Sequence, residues 1–127
     1  MLNKKEAPLP EDGQKAEGAE DPAAQQGPGP EWKLNPPSIN LNEPSGNRYL
    51  KVTMFLELSS KKTEEEIELK KNRVLDTAIS YLSSLRYADT VGDNGKDRIR
   101  RELIKQVNGL LDTGKVRRIY FSEFIVQ

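Results

Sequence analysis

All eight prolines of this chain fall between Pro8 and Pro44, and the residues from there to Gln127 hold none. Proline fixes φ and removes a backbone donor, so a run of prolines marks where helices and central strands cannot pass. Residues 1–37 are also rich in Glu, Ala, Gly and Gln, with Trp32 as their only aromatic side chain. Such a stretch buries too little apolar surface to offset the entropy of ordering it. The sequence therefore predicts a disordered linker over residues 1–37, partly polyproline-like around Gly27–Pro30, and one folded domain over residues 38–127. A domain of about 90 residues holds a single core of modest stability.

Within the domain, Ser38–Asn42 alternates polar and apolar and reads as a short strand, and Glu43–Asn47 carries turn chemistry. From Arg48 to Leu58 the alternation is sustained. Leu50, Val52, Met54, Leu56 and Leu58 share one face, and Tyr49, Lys51, Thr53, Phe55 and Glu57 share the other. That period predicts a half-buried strand, joined to the first as a hairpin. Thr63 reads as a helix N-cap with Glu66 reaching back to it, and Glu64, Glu65 and Glu66 suit the helix dipole. Ile67, Val74, Leu75, Ala78, Ile79, Leu82 and Leu85 recur at helical spacing, which predicts a helix over 64–86 with a kink or break near Lys71. A loop through Gly92–Gly95 precedes a second helix over 96–111, capped by Asn94 and ended by Gly114 in a left-handed turn.

The chain ends on Val116–Gln127, a β-prone stretch holding Tyr120, Phe121 and Phe124. Ile119, Phe121 and Ile125 share one parity, Tyr120, Phe124 and Val126 the other. The strand is then covered on both faces, or a bulge near Ser122–Glu123 switches its register. Either way the expectation is a central last strand, anchored by Phe121 and Phe124. The order β-β-α-α-β defines an α+β fold, a small antiparallel or mixed sheet with two helices on one face. The other face, with Tyr49, Phe55 and Tyr120, is left for a partner or a second copy.

The chain has no histidine and no cysteine, which removes the commonest general base, transition-metal ligand and thiol nucleophile. Gly92–Lys96 lacks Walker spacing, and Asp89, Asp93, Asn94 and Asp97 lack that of a calcium loop. The residues thus predict neither an enzyme nor a cofactor site. Residues 1–37 carry four lysines against seven acids, a net −3, and the remainder sixteen bases against thirteen acids, a net +3. So small a surplus does not demand a nucleic acid. No apolar run approaches the ~18 residues of a membrane span. Trp32, beside proline-rich sequence, is costly to leave exposed and is a candidate to dock on the domain, a partner or a membrane surface.

Several stretches resemble the flagellar basal-body-associated FliL family. The ending Tyr120-Phe121-Ser122-Glu123-Phe124-Ile125-Val126-Gln127 is similar to that family's terminal strand. Gly114-Lys115-Val116 and Val107-Asn108 precede it in the same order, and Ile79–Ser84 is similar to the family's first long helix. Upstream, Ile39-Asn40-Leu41, Arg48–Val52 and Leu56-Glu57-Leu58 are similar to its first two strands. The resemblance covers residues 38–127. It implies a bitopic inner-membrane protein at the flagellar basal body, whose periplasmic domain has a stomatin-type (SPFH) fold, associates with the stator, supports torque and motility, and forms rings. The membrane span itself is absent, so the sequence is expected to be a soluble fragment that in its natural setting is tethered to the membrane. For the assembled form the candidate interface residues are the acids Glu64 and Glu68, the bases Arg98, Arg101 and Lys105, and the aromatics Tyr49 and Phe55. The residues alone leave an alternative, in which the basic face of helix 96–111 binds an anionic membrane surface or a nucleic acid.

Overall fold

The computed structural model describes residues 28–44 and 46–127. Of the linker expected over residues 1–37, residues 1–27 lie outside the described residues. The chain forms β1 (Glu31–Leu34), β2 (Ile39–Asn40), β3 (Tyr49–Leu58), α1 (Lys61–Leu69), α2 (Lys71–Ser83), a 3₁₀ turn (Tyr87–Thr90), α3 (Gly92–Asn108) and β4 (Val116–Val126). It is an α+β fold with one antiparallel sheet and three helices.

β3 is the strand that the sequence pattern describes. Leu50, Val52, Met54, Leu56 and Leu58 face the helices and are buried, together with Ile67, Val74, Ala78 and Leu82 of α1 and α2 and Ile99, Leu103 and Val107 of α3. β4 runs along one edge of β3, from Leu50 opposite Val126 to Leu58 opposite Val116. Along the other edge lie β1, with Trp32 opposite Leu56, and β2, with Ile39 opposite Leu50. β1 and β2 follow each other in the same direction, so they make up one edge strand interrupted at Asn35-Pro36-Pro37-Ser38. Two successive residues without an N–H cannot continue a ladder.

Three expectations are corrected here. The boundary expected at residue 38 leaves out β1, which belongs to the sheet. Its four residues, set between Pro30 and Pro36, are too short to show a period. The expected order lacks this strand and counts two helices where there are three. The last strand is also not central. β3 offers two edges, the N-terminal segment takes one, and β4 takes the other; among the described residues β4 pairs only with β3. Its mixed parity comes from the bulge. Thr53 is opposite Glu123 and Met54 opposite Phe121, which leaves Ser122 unopposed. Ile119 and Phe121 before the bulge, and Phe124 and Val126 after it, therefore all turn toward the helices. A second shift, between Glu57 and Leu58, leaves Arg117 unopposed. The C-terminus is tied down because Tyr49 and Gln127 exchange both backbone hydrogen bonds, at 3.0 and 2.9 Å.

The expected long helix breaks at Lys70, one residue from the predicted site, into α1 and α2. Its N-cap is Ser60 rather than Thr63. The Ser60 hydroxyl accepts from the Thr63 N–H at 3.2 Å, and Thr63 itself is buried. Glu66 does not reach back. It crosses to the segment between α3 and β4, accepting the backbone N–H of Asp112 at 2.8 Å, the N–H of Thr113 at 2.9 Å and the Thr113 hydroxyl at 2.7 Å. Lys70 donates to the same carboxylate at 2.6 Å and to the Leu110 carbonyl at 2.7 Å. α3 begins at Gly92, whose φ of 75° only glycine adopts freely, and no side chain caps it; Asn94 lies inside the helix. It ends at Asn108, so Gly114 is not its cap. Gly114 instead lies where the Ser59 and Thr63 hydroxyls approach the backbone, and a Cβ would overlap both.

Burial pushes the Glu66 carboxyl up, but the hydrogen bonds from Lys70, Thr113 and Asp112 outweigh it and hold the group at about 2, against an ordinary 4.5. A depressed acid contributes stability above its unfolded value, and that contribution fades as pH falls from about 4.5 toward 2. Glu66→Gln should therefore cost about 1–2 kcal/mol near neutral pH, and its deficit against the parent should shrink through that acid window; urea melts across pH measure both. A second set of melts tests the place of β4. Leu56 is fully buried and Phe124 half-buried. Leu56→Ala should cost about 3–4 kcal/mol and Phe124→Ala about half as much, whereas a central β4 would reverse the ranking.

Candidate interaction surfaces

Among the described residues, no group of three or more acids is placed to hold a metal ion. No described helix is long and apolar enough to cross a membrane. The chemistry lies in three surfaces.

The first is a cleft of about 450 Å³ between the end of α2, the 3₁₀ turn and α3. It is lined by Tyr81, Leu85, Asp89, Arg98, Ile99, Arg101, Glu102 and Lys105. Arg98, Arg101 and Lys105 recur every three to four residues and so form one stripe of α3. Among the described residues none of the three forms an ion pair, while Arg100 beside them is paired with Asp97 at 2.6 Å. The two carboxylates in the cleft are partly engaged, Asp89 by the Arg86 N–H at 2.9 Å and Glu102 by Gln106 at 2.9 Å. Burial, followed by the charges of Glu102 and Asp89, raises the pKa of the Tyr81 phenol. The floor is apolar, the rim carries unpaired cations, and two acids stand among them. A mixed amphipathic protein surface suits that pattern better than a uniform polyanion does.

The second surface is the α1 side of the N-terminal edge. Trp32 packs against the core, and its indole N–H donates to Glu68 at 2.8 Å. Lys71 approaches the same carboxylate at 3.5 Å. The indole hydrogen bond, then Lys71, hold the Glu68 pKa below its ordinary value. Glu64 lies 3.6 Å from Lys61. Both acids singled out from sequence thus have partners within their own domain.

The third is the sheet face away from the helices. Tyr49 and Phe55 lie on it, six residues apart on β3. Tyr120 stands opposite Phe55 and Ile125 opposite Lys51. At one end Glu57, only 2 % exposed, accepts from the Tyr120 hydroxyl at 2.9 Å and pairs with Arg118 at 3.2 Å and Arg117 at 3.4 Å. The hydrogen bond to this carboxylate raises the pKa of the Tyr120 phenol. Arg117 and Arg118 are therefore committed to Glu57 and do not extend the α3 stripe. Sequence pattern alone missed Glu57, because it occupies the solvent parity of β3 and its cover comes from a strand sixty residues away. It also missed Lys96 and Arg100 of α3, which sit 5.0 Å over the Phe124 ring and 4.8 Å over the Phe121 ring.

Residues 32–127 match the family described as flagellar basal body-associated protein FliL. Among curated proteins, the chain is 31 % identical over 97 residues to a flagellar protein FliL of Aquifex aeolicus, covering 76 % of this chain and 60 % of that protein. It is 34 % identical over 89 residues to a flagellar protein FliL of Bacillus subtilis, covering 70 % of this chain and 63 % of that protein. A flagellar FliL protein of Caulobacter vibrioides is 29 % identical over 89 residues, which is 43 % of its length. The chain thus spans less than two thirds of the relatives it matches. The family match begins at Trp32, where β1 joins the sheet, and runs through the last residue of β4, so that the whole described domain belongs to the FliL family of flagellar basal body-associated proteins.

Proposed function

We propose that this domain is a non-enzymatic accessory module of the flagellar motor, held at the inner membrane on the periplasmic side, which associates with the stator and with further copies of itself in a ring. The family match over residues 32–127 carries this reading. The surfaces support it: an apolar-floored cleft with unpaired bases, and an open sheet face bearing Tyr49, Phe55 and Tyr120. In a head-to-tail ring every copy uses one surface to meet a different surface on its neighbour. The cleft on α3 and the acidic α1 are such a pair. Each exposed ion pair contributes about 0–1 kcal/mol, so charge sets the register while apolar groups supply affinity. Tethering to a membrane raises the effective concentration and favours closure of the ring.

The test is made in flagellated cells that carry a fluorescently tagged full-length protein. Arg98→Glu with Arg101→Glu should leave the melting temperature of the isolated domain within about 3 °C of the parent, because both side chains are exposed. It should also scatter the basal-body foci and slow swimming under load. Foci and swimming equal to the parent, or foci formed without the stator present, would remove the cleft or the stator from this function.

A further inference from the structure

The most exposed large apolar side chain of the domain is Leu69, at 88 %; the next is Val91 at 52 %. It is the last residue of α1, where a polar residue would serve the helix as well. Single exposed apolar groups are common, so exposure alone assigns nothing. Glu65 lies one turn before Leu69, exposed on the same face, and among the described residues it makes no ion pair. The pair therefore presents an apolar knob beside a free carboxylate. The α2–α3 cleft presents the complement: an apolar floor of Leu85, Ile99 and Tyr81 beside the unpaired Arg101 and Lys105. Leu69 ends α1 before the break at Lys70, and ten residues of α2, roughly 15 Å, separate Lys71 from Tyr81, so Leu69 lies far from the cleft of its own molecule.

We propose that Leu69 of one copy seats in the cleft between α2 and α3 of the next, with Glu65 meeting Arg101 and Lys105. This rests on the self-association reading above and deepens it. The contact moves the acidic contribution from Glu64 and Glu68, which are engaged by Lys61 and by Trp32 and Lys71, to Glu65. Arg73, the exposed base that follows Lys71 on α2, has Asp89 and Glu102 of the cleft to meet. The contact is heterologous, since knob and hole are different patches, and it repeats from copy to copy. It lies wholly in the helical layer, so the open sheet face stays free for a different protein.

The cysteine-free chain permits a direct test. The full chain is attached through an N-terminal histidine tag to nickel-chelating lipid vesicles, and association is followed with surface density. Leu69→Cys and Glu102→Cys chains, mixed and mildly oxidised, should give the mixed disulfide dimer. A chain carrying both cysteines should give a ladder of oligomers. Leu69→Lys should raise the density needed for association on the order of tenfold or more and leave the melting temperature unchanged, the side chain being exposed. Glu65→Arg should weaken association, and Arg101→Glu in the same chain should restore it. If the parent associates while Leu69→Lys associates equally well, or the mixed disulfide fails to form, the knob-in-cleft contact is wrong and self-association survives. If the parent stays monomeric at every density, both the contact and the self-association reading fall.

Discussion

Everything else in this fold depends on β3 being hydrogen-bonded along both edges while burying one face. Ten residues supply the inner side chains Leu50 to Leu58, the ladder for β4, and the ladder for both N-terminal segments. The helices add a second layer over that single face. A domain with only one fully enclosed strand has a thin core, and its remaining order comes from polar ties between elements distant in sequence. The Glu66 carboxylate is the clearest. One side chain on α1 satisfies two backbone N–H groups and a hydroxyl between α3 and β4, and so fixes where β4 begins. Ser59 does similar work from the end of β3, accepting the Lys115 N–H at 2.9 Å.

What the sequence made legible follows from periodicity. β3 alternates over its whole length, so its faces were readable, and the conflicting parity of Ile119 to Val126 left two readings, of which the structure shows the bulge. The helix stripes showed α2, α3 and the break near Lys71. Legibility ended where a residue's role is set by a distant partner. The four residues of β1 show no pattern of their own; they are ordered by the edge of β3 and by Glu68. Glu66 looked like a capping residue because its true acceptor role lies 46 residues away. Gly114 looked like a helix terminus, whereas its lack of a side chain makes room for Ser59 and Thr63.

The same limit applied to the candidate surfaces. The bases Arg98, Arg101 and Lys105 were visible as a helical stripe, and the structure adds the apolar floor of Tyr81, Leu85 and Ile99 beside it. The acids Glu64 and Glu68 were visible as a cluster, but composition does not tell a free carboxylate from one already bonded. Charge counts from sequence therefore overstated how much of α1 is available to a partner. They understated how unusual it is for the stripe on α3 to stand unpaired in a chain with equal numbers of acids and bases.

The interruptions in the outer strands also limit how molecules can join. Pro36 and Pro37 remove donors from one margin of the sheet, and the bulges at Arg117 and Ser122 bend the other. A flat, continuous margin of eleven residues such as β4 would otherwise template a neighbouring chain, and backbone zippering of that kind is slow to undo and prone to run on into fibrils. With both margins blunted, backbone pairing between neighbouring molecules is disfavoured and side-chain contacts are favoured in its place. Side-chain contacts do not extend a sheet from one molecule into the next, so a protein built this way can be packed densely without its strands fusing.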